Sequence, residues 1–525
     1  MTVISSAKQA ADLLAGAAKN NADDVRAAVL KVLAGLESAE PPLAELFQIA
    51  ETVRSSVDYV VFDYRASYAD RALPFGEQEA RRFGNAMGLL DHLEALYRRA
   101  LDAASTAPPG EATTAYQALA LQRCMACVMG RMVEHYRARQ TVEAVLWNRL
   151  QRHMRAATTA KLEGARVADP MDPRGKVSPK GIYSQALLLS IAQVGAMAQR
   201  ILEASVALSA MFADLVEVTL LDADPAKAPT QPQAPADGVG IKRTGRIRVV
   251  EAGGVTHLLN TTKVDAAIAT VLQRLSEGRS PEELGLASVG KADFGSLLPR
   301  LRRIWCGTGE IRETQRVVVE KAATLTVGFI GIASFADPET LTPPPQFEIW
   351  DYHKHAGQQA ASSDVVVEKD REVPPENWHV NDHSATGMRG RRRGGGARLR
   401  RHQLMGMAFL DAERRRQFTL GEFRWLQQHP DPKGDISAGV RFLSNAASVA
   451  LIRIHGLQKG QYQTVGPAFL FEEEGLTRVV LPYGWFAPKR NADFWHGGAV
   501  VPVTLTDLRS RGADFEIGTY VPRTE

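Results

Sequence analysis

Five residues in the C-terminal half have types that suit recognition of a nucleotide. Arg312 and Arg316 stand four apart, and Asp382, Ser384 and Gly387 follow the pattern Asp-x-Ser-x-x-Gly. Arginine presents a planar fork of donors that can grip a phosphate, or the O6 and N7 acceptors of a guanine edge, with two parallel hydrogen bonds. Its flat face can also stack on a purine. An aspartate offers only acceptors, which match the N1 and N2 hydrogens of guanine and mismatch adenine. Ser384 can donate or accept beside it, and Gly387 lets the backbone turn, or approach a ligand, where a Cβ would obstruct. Alone each motif is weak: Arg-x-x-x-Arg recurs by chance in a chain with 63 lysines and arginines, and Asp, Ser and Gly also build ordinary turns. Their weight comes from standing together, each beside an expected strand.

Other patterns compete. Arg389, Arg391, Arg392, Arg393, Arg398, Arg400 and Arg401 are crowded into one run, more than the whole formal excess of +4, so the basicity is local. Arg389 and Arg393, four apart and near Asp382, form a candidate secondary phosphate grip. The run 389–401 could instead engage nucleic acid or an anionic lipid surface, and the plain alternative is a solvated loop. Cys124-Met-Ala-Cys127 lies among Leu119, Leu121, Val128 and Met129 and reads as packing inside a helix, since no second ligand pair accompanies it. His353 and His355, beside Asp351, have no evident third metal ligand. No phosphate-binding GxxxxGK[ST] loop, HExxH, GxSxG or glycine-rich dinucleotide fingerprint occurs, and no nucleophile and base stand in partnership. The expectation is a binding protein and no enzyme, with no catalytic residues, metal or cofactor.

The elements that must position these residues change character along the chain. At 525 residues, 45% apolar and 23% charged, the chain is a globular protein of more than one domain. Residues 1–221 are rich in Ala, Leu, Glu and Arg with apolar positions recurring every three or four, as Phe83, Met87, Leu90, Tyr97 and Leu101 do. An all-α bundle is expected, with helices over 7–17, 23–36, 43–56, 114–158 and 183–219. Residues 222–240, with four prolines, read as a linker. In 241–308 a short strand over 246–250 and helices over 262–276 and 293–305 are expected, with a helix start at Ser280-Pro281-Glu282-Glu283. From 309 the period becomes two, with β-branched runs at 317–319, 449–454, 478–481 and 500–505. The expected fold class is multidomain α+β: an N-terminal helical bundle, then an antiparallel β-barrel over 309–455, then additional strands over 456–525. Three cysteines cannot make a disulfide framework. Met1 to Asn20 lacks the apolar core of a signal peptide, and no stretch of about 18 uncharged apolar residues occurs, so a cytoplasmic protein without a membrane span is expected.

The pair of motifs, in this order, resembles the RxxxR and (D/N)xSxxG signatures of PilZ domains. The segments Gln403–Ala408, Thr419–Leu426 and Ala438–Leu443 resemble that family's later strands. The resemblance covers roughly 309–444 and implies a β-barrel receptor for the bacterial second messenger cyclic di-GMP. Arg312, Arg316, Asp382, Ser384 and Gly387 would bind the ligand, with Arg389 and Arg393 secondary. It further implies an effector of motility, adhesion, biofilm or polysaccharide output. The helices would supply an unknown protein partner or a homo-oligomer contact. The alternatives are a nucleic-acid-binding protein using 389–401, which is the less expected one, and a degenerate PilZ scaffold that binds no nucleotide. The sequence departs from the family in the 66-residue step from Arg316 to Asp382, where Pro343–Pro345 and Gln358–Glu376 read as inserted loop, and in the arginine run.

Overall fold

The computed structural model describes residues 3–17, 21–221, 240–244, 247–252, 254–286, 294–307, 317–337, 339, 374–410, 416–430, 434–455 and 462–523. They fall into two compact units, 1–71 with 75–311 and 72–74 with 312–525. The linker expected at 222–240 lies, but for Gly240, outside the described residues, as do Arg312, Arg316, His353 and His355.

The first unit opens with α1 (Ala7–Ala17), α2 (Ala22–Glu37), α3 (Leu43–Tyr68), α4 (Glu77–Thr106), α5 (Glu111–Arg137) and α6 (Ala144–Thr159). Asn21 starts α2 by accepting the Asp24 amide at 3.0 Å, with Asp23 and Asp24 in the first turn, as N-caps and the helix dipole favour. In α4, Met87 and Tyr97 are buried, and Phe83, Leu90 and Leu101 pack against the same core. Helix α3 runs on to Tyr68 because its buried stripe continues through Val57, Val60, Val61 and Tyr64. The single helix expected over 114–158 is two helices. Arg139 takes a φ of 54° while its guanidinium pairs with Asp70, and the Gln140 amide returns to the His135 carbonyl at 2.8 Å. Cys124 and Cys127 are buried in the core, and burial pushes both thiols up.

The helix expected over 183–219 is likewise divided, into α7 (Pro179–Ala192) and α8 (Gln199–Phe212), with Gln193 in the left-handed region between them. Its end is a strand. β1 (Glu217–Leu221) joins β2 (Gly240–Thr244), β3 (Ile247–Ala252) and β4 (Val255–Asn260) in an antiparallel sheet ordered β1-β4-β3-β2. Helices α9 (Thr262–Ser276) and α10 (Phe294–Cys306) follow; at the expected helix start Ser280 and Glu283 exchange capping hydrogen bonds, each 3.3 Å, but Pro281–Gly285 forms turns and no helix.

Residues 241–308 are therefore not a segment apart from the bundle. Val250, Leu259, Val264, Ile268, Leu298 and Trp305 share one core with Tyr183, Leu187, Leu188, Leu208 and Phe212. Four short strands cannot bury a face alone, and α7, apolar all round its circumference, needs neighbours on every side. Among the described residues no helix is long and apolar enough to cross a membrane.

The second unit holds two closed six-stranded antiparallel barrels. The first comprises β5 (Val317–Val327), β6 (Glu376–Ser384), β7 (Gly387–Arg392), β8 (Leu404–Leu410), β9 (Arg416–Gln428) and β10 (Ile436–Ser444). The second comprises β11 (Ser448–His455), β12 (Tyr462–Glu473), β13 (Leu476–Pro482), β14 (Asn491–His496), β15 (Ala499–Arg511) and β16 (Phe515–Pro522). Pairing runs β5-β6-β7-β10-β9-β8 and closes in the first barrel. It runs β11-β12-β13-β16-β15-β14 and closes in the second, so the two repeat one topology. The expected C-terminal strands are thus a whole second barrel, and Ser448–His455, assigned from sequence to the first, is its opening strand. A short helix, α11 (Phe329–Ala336), packs Phe329, Ile332 and Ala333 among Phe469, Phe471 and Val480 of the second barrel.

Candidate functional site

The two sequence motifs are 66 residues apart, yet strand pairing brings their neighbourhoods together. β5 and β6 are antiparallel: Val317, which follows Arg316 in the chain, pairs with His383, and Val318 pairs with Asp382. The inserted residues leave from the opposite end of this hairpin, between Val327 and Glu376, so their number does not affect the register at Asp382. Val317 and Val318 are 56% and 72% exposed, unusual for valines within a barrel strand.

A register shift between Val380 and Asp382 decides which way the aspartate faces. Trp378 and Val380 point into the barrel core. After the shift Asp382 is opposite Arg389, and Ser384 opposite Gly387. A β-bulge re-aims side chains in this manner. Asp382 therefore lies on the outer face, 7% exposed, with its Oδ2 2.9 Å from Arg389 Nε. That face continues across β7, β10 and β9. Gly387 is opposite Arg441, Arg389 opposite Gly439, Gly439 opposite Trp425, and Arg441 opposite Glu422. A Cβ built on Gly439 would lie 2.0 Å from Trp425 Nε1, so the indole occupies the space a side chain there would take. The result is a half-buried aromatic surface over Gly439, with Arg389 across from that glycine and Arg441 two residues along β10.

Ser384 and Gly387 have structural duties that their sequence pattern does not disclose. The Ser384 hydroxyl is turned to its own hairpin, 3.4 Å from the Gly387 carbonyl and from Thr386 Oγ1, and the Thr386 carbonyl accepts the Phe442 amide at 2.9 Å. A Cβ on Gly387 would lie 2.2 Å from the Val440 carbonyl oxygen, so β7 and β10 can pair here only around a glycine.

The arginine run is built into the fold to a large degree. Arg391 pairs with Asp435 at 2.7 Å, and the same carboxylate accepts the Gly394 amide at 2.9 Å. Arg392 points inward, 2% exposed, with Nη1 2.6 Å from Glu376 and its guanidinium over the Trp378 ring. Arg398 donates to the Ala72 carbonyl and Arg401 to the Arg424 carbonyl. A solvated loop is therefore the wrong description for these four. Arg393 is exposed and follows the far end of β7, about 13 Å along the strand from Arg389. The structure brings Arg389, and not Arg393, to Asp382.

Sequence reasoning missed Glu422. It is 3% exposed on β9 and is approached by Arg424 Nη1 and Arg441 Nε, both at 3.0 Å, and by His402 Nδ1 at 3.5 Å. Burial by itself would raise its carboxyl. The hydrogen bond from His402 and the charges of Arg441 and Arg424 outweigh that and hold it at about 2. A carboxyl depressed on folding contributes stability above its unfolded value, near 4.5, and loses that contribution as pH falls through about 2. Glu422→Gln should cost about 2 kcal/mol at pH 7, and the gap to the parent should narrow on acidification toward pH 3. Chemical denaturation at both pH values checks this, and a gap that stays constant would exclude the ion cluster as its source. The signal was present as Glu-x-Arg on a strand, but only cross-strand register shows that Arg441 joins it.

Residues 8–225, less than half of the chain, match the family model described as the N-terminal domain of the cyclic-di-GMP receptor FimW. The match lies entirely outside the barrels and includes all of α2 to α8. No curated protein matches the chain.

Proposed function

We propose that this protein is a cyclic di-GMP effector: the outer face of its first barrel is a PilZ-type ligand site, and its helical unit carries the output to a protein partner. The observation that carries this reading is the β5–β6 register. It sets the residue after Arg316 against His383 while the bulge turns Asp382 outward beside Arg389. A carboxylate beside Arg389 can accept the N1 and N2 hydrogens of a guanine. Trp425 offers a ring to stack on, and arginines on the segment before β5 would close on the phosphates. The family match over 8–225 supports the reading independently, because it concerns helices that share no residue with the barrel motifs.

A ligand shifts a conformational equilibrium only through its different affinity for the two arrangements. Here contacts of Arg312 and Arg316 with the ligand would supply that difference. Isothermal titration with cyclic di-GMP tests the site. Asp382→Ala and Arg316→Ala should each cost on the order of 2 kcal/mol, roughly thirtyfold in Kd, the worth of a charge-assisted hydrogen bond. The absence of binding heat from the parent at tens of micromolar ligand would sink the proposal.

A further inference from the structure

The outer face holds a cation that neither sequence motif includes. Arg441 stands on β10 directly opposite Gly387 of β7, on the side of the face away from β5. Its side chain is 48% exposed, and its Nε is 3.0 Å from the buried Glu422 carboxylate. Arg424 and His402 converge on that same carboxylate. Two arginines around one ionised glutamate leave a net positive charge, before any proton on His402 is counted. Binding through Nε fixes the guanidinium plane at one edge and leaves the two terminal nitrogens free to donate outward, a prepaid arrangement for a bidentate contact with phosphate. Gly387, with no side chain, leaves the Arg441 Cα clear at the point where the two strands meet. The Trp425 indole lies over Gly439, which pairs with Arg389 and stands two residues from Arg441 on β10.

We infer that Arg441 is a phosphate-binding residue of the cyclic dinucleotide site and that Glu422 is its positioning residue. This rests on the function proposed above. A cyclic dinucleotide carries two phosphodiesters on opposite sides of its ring, and cations confined to one edge of the face could neutralise only one of them. Arg441, approaching from β10, would take the phosphate on its side of the ring.

The test is titration of the full-length protein with cyclic di-GMP at several salt concentrations, for the parent, Arg441→Ala, Arg441→Lys and Glu422→Gln. Arg441→Ala, an exposed change expected to fold normally, should weaken binding tenfold or more and lower the steepness of log Kd against log salt. Lysine should restore the salt dependence but only part of the affinity, because it keeps the charge and loses the fork. Glu422→Gln should weaken binding less, and should have no further effect when combined with Arg441→Ala. A mutation that merely loosened the barrel would not leave the salt slope tracking charge at position 441. If the parent binds and Arg441→Ala stays within twofold of it, this assignment is wrong while the receptor function stands. If the parent does not bind, both fall together.

Discussion

Gly387→Val is expected to destabilise the first barrel by about 3 kcal/mol or more and to lower its melting midpoint by roughly 10 °C. The glycine of an Asp-x-Ser-x-x-Gly pattern is naturally taken as making room for ligand, but the structure gives it another task. Its missing Cβ would stand 2.2 Å from the Val440 carbonyl oxygen, well inside any tolerable contact, and that oxygen is backbone with nowhere to rotate. The strands would have to part at the hairpin whose Thr386 carbonyl is bonded to the Phe442 amide. Differential scanning calorimetry of the ligand-free variant measures the effect, with Ala385→Val, an exposed neighbour in the same hairpin, as the control. A Gly387→Val midpoint within about 2 °C of the parent would mean that β7 and β10 yield readily. The expected outcome also bears on binding assays: lost binding in a Gly387 variant reports a damaged barrel, so Asp382 and Arg441 are the informative positions.

What could be read from the sequence follows from which physical signal is local. The helical stripe of Phe83, Met87, Leu90, Tyr97 and Leu101 is a periodicity within one segment, and it lies against the core as expected. The strands around Thr419–Leu426 and Ala438–Leu443 are equally legible, because β-branched alternation needs no knowledge of partners. The breaks at Arg139 and Gln193 were hidden: neither is a glycine or proline, and each sits at positive φ because its surroundings require it. The second barrel was legible as strands and illegible as a barrel, since closure depends on β11 pairing with β14, with two strands between them in sequence. The same applies to the site. Asp382 could be singled out by its pattern, but its outward direction depends on a bulge. Its neighbours Trp425, Arg441 and Glu422 become neighbours only through the register of β10 against β7 and β9.

Trp305→Ala should be the most damaging core change in the first unit, costing about 4 kcal/mol. Trp305 is fully buried at the end of α10, edge-on to Phe212 with ring centroids 6.4 Å apart, and its indole N–H donates to the Leu188 carbonyl of α7 at 2.9 Å. The hydroxyl of Thr261 donates in turn to its carbonyl at 3.2 Å. One side chain thus ties the segment beyond the proline-rich stretch to the helices before it. Removing it leaves a large void and takes away the hydrogen bond to α7, two costs that add. If 241–308 were energetically separate from the bundle, only α9, α10 and the four-stranded sheet would loosen. Because they share one core, amide hydrogen exchange in Trp305→Ala should quicken in α7 and α8 as well, together with a lower denaturant midpoint for the whole unit. Unchanged protection in α7 would refute the shared core. With it would go the view that the helical unit ends beyond residue 300 rather than near 221, the boundary its composition suggests.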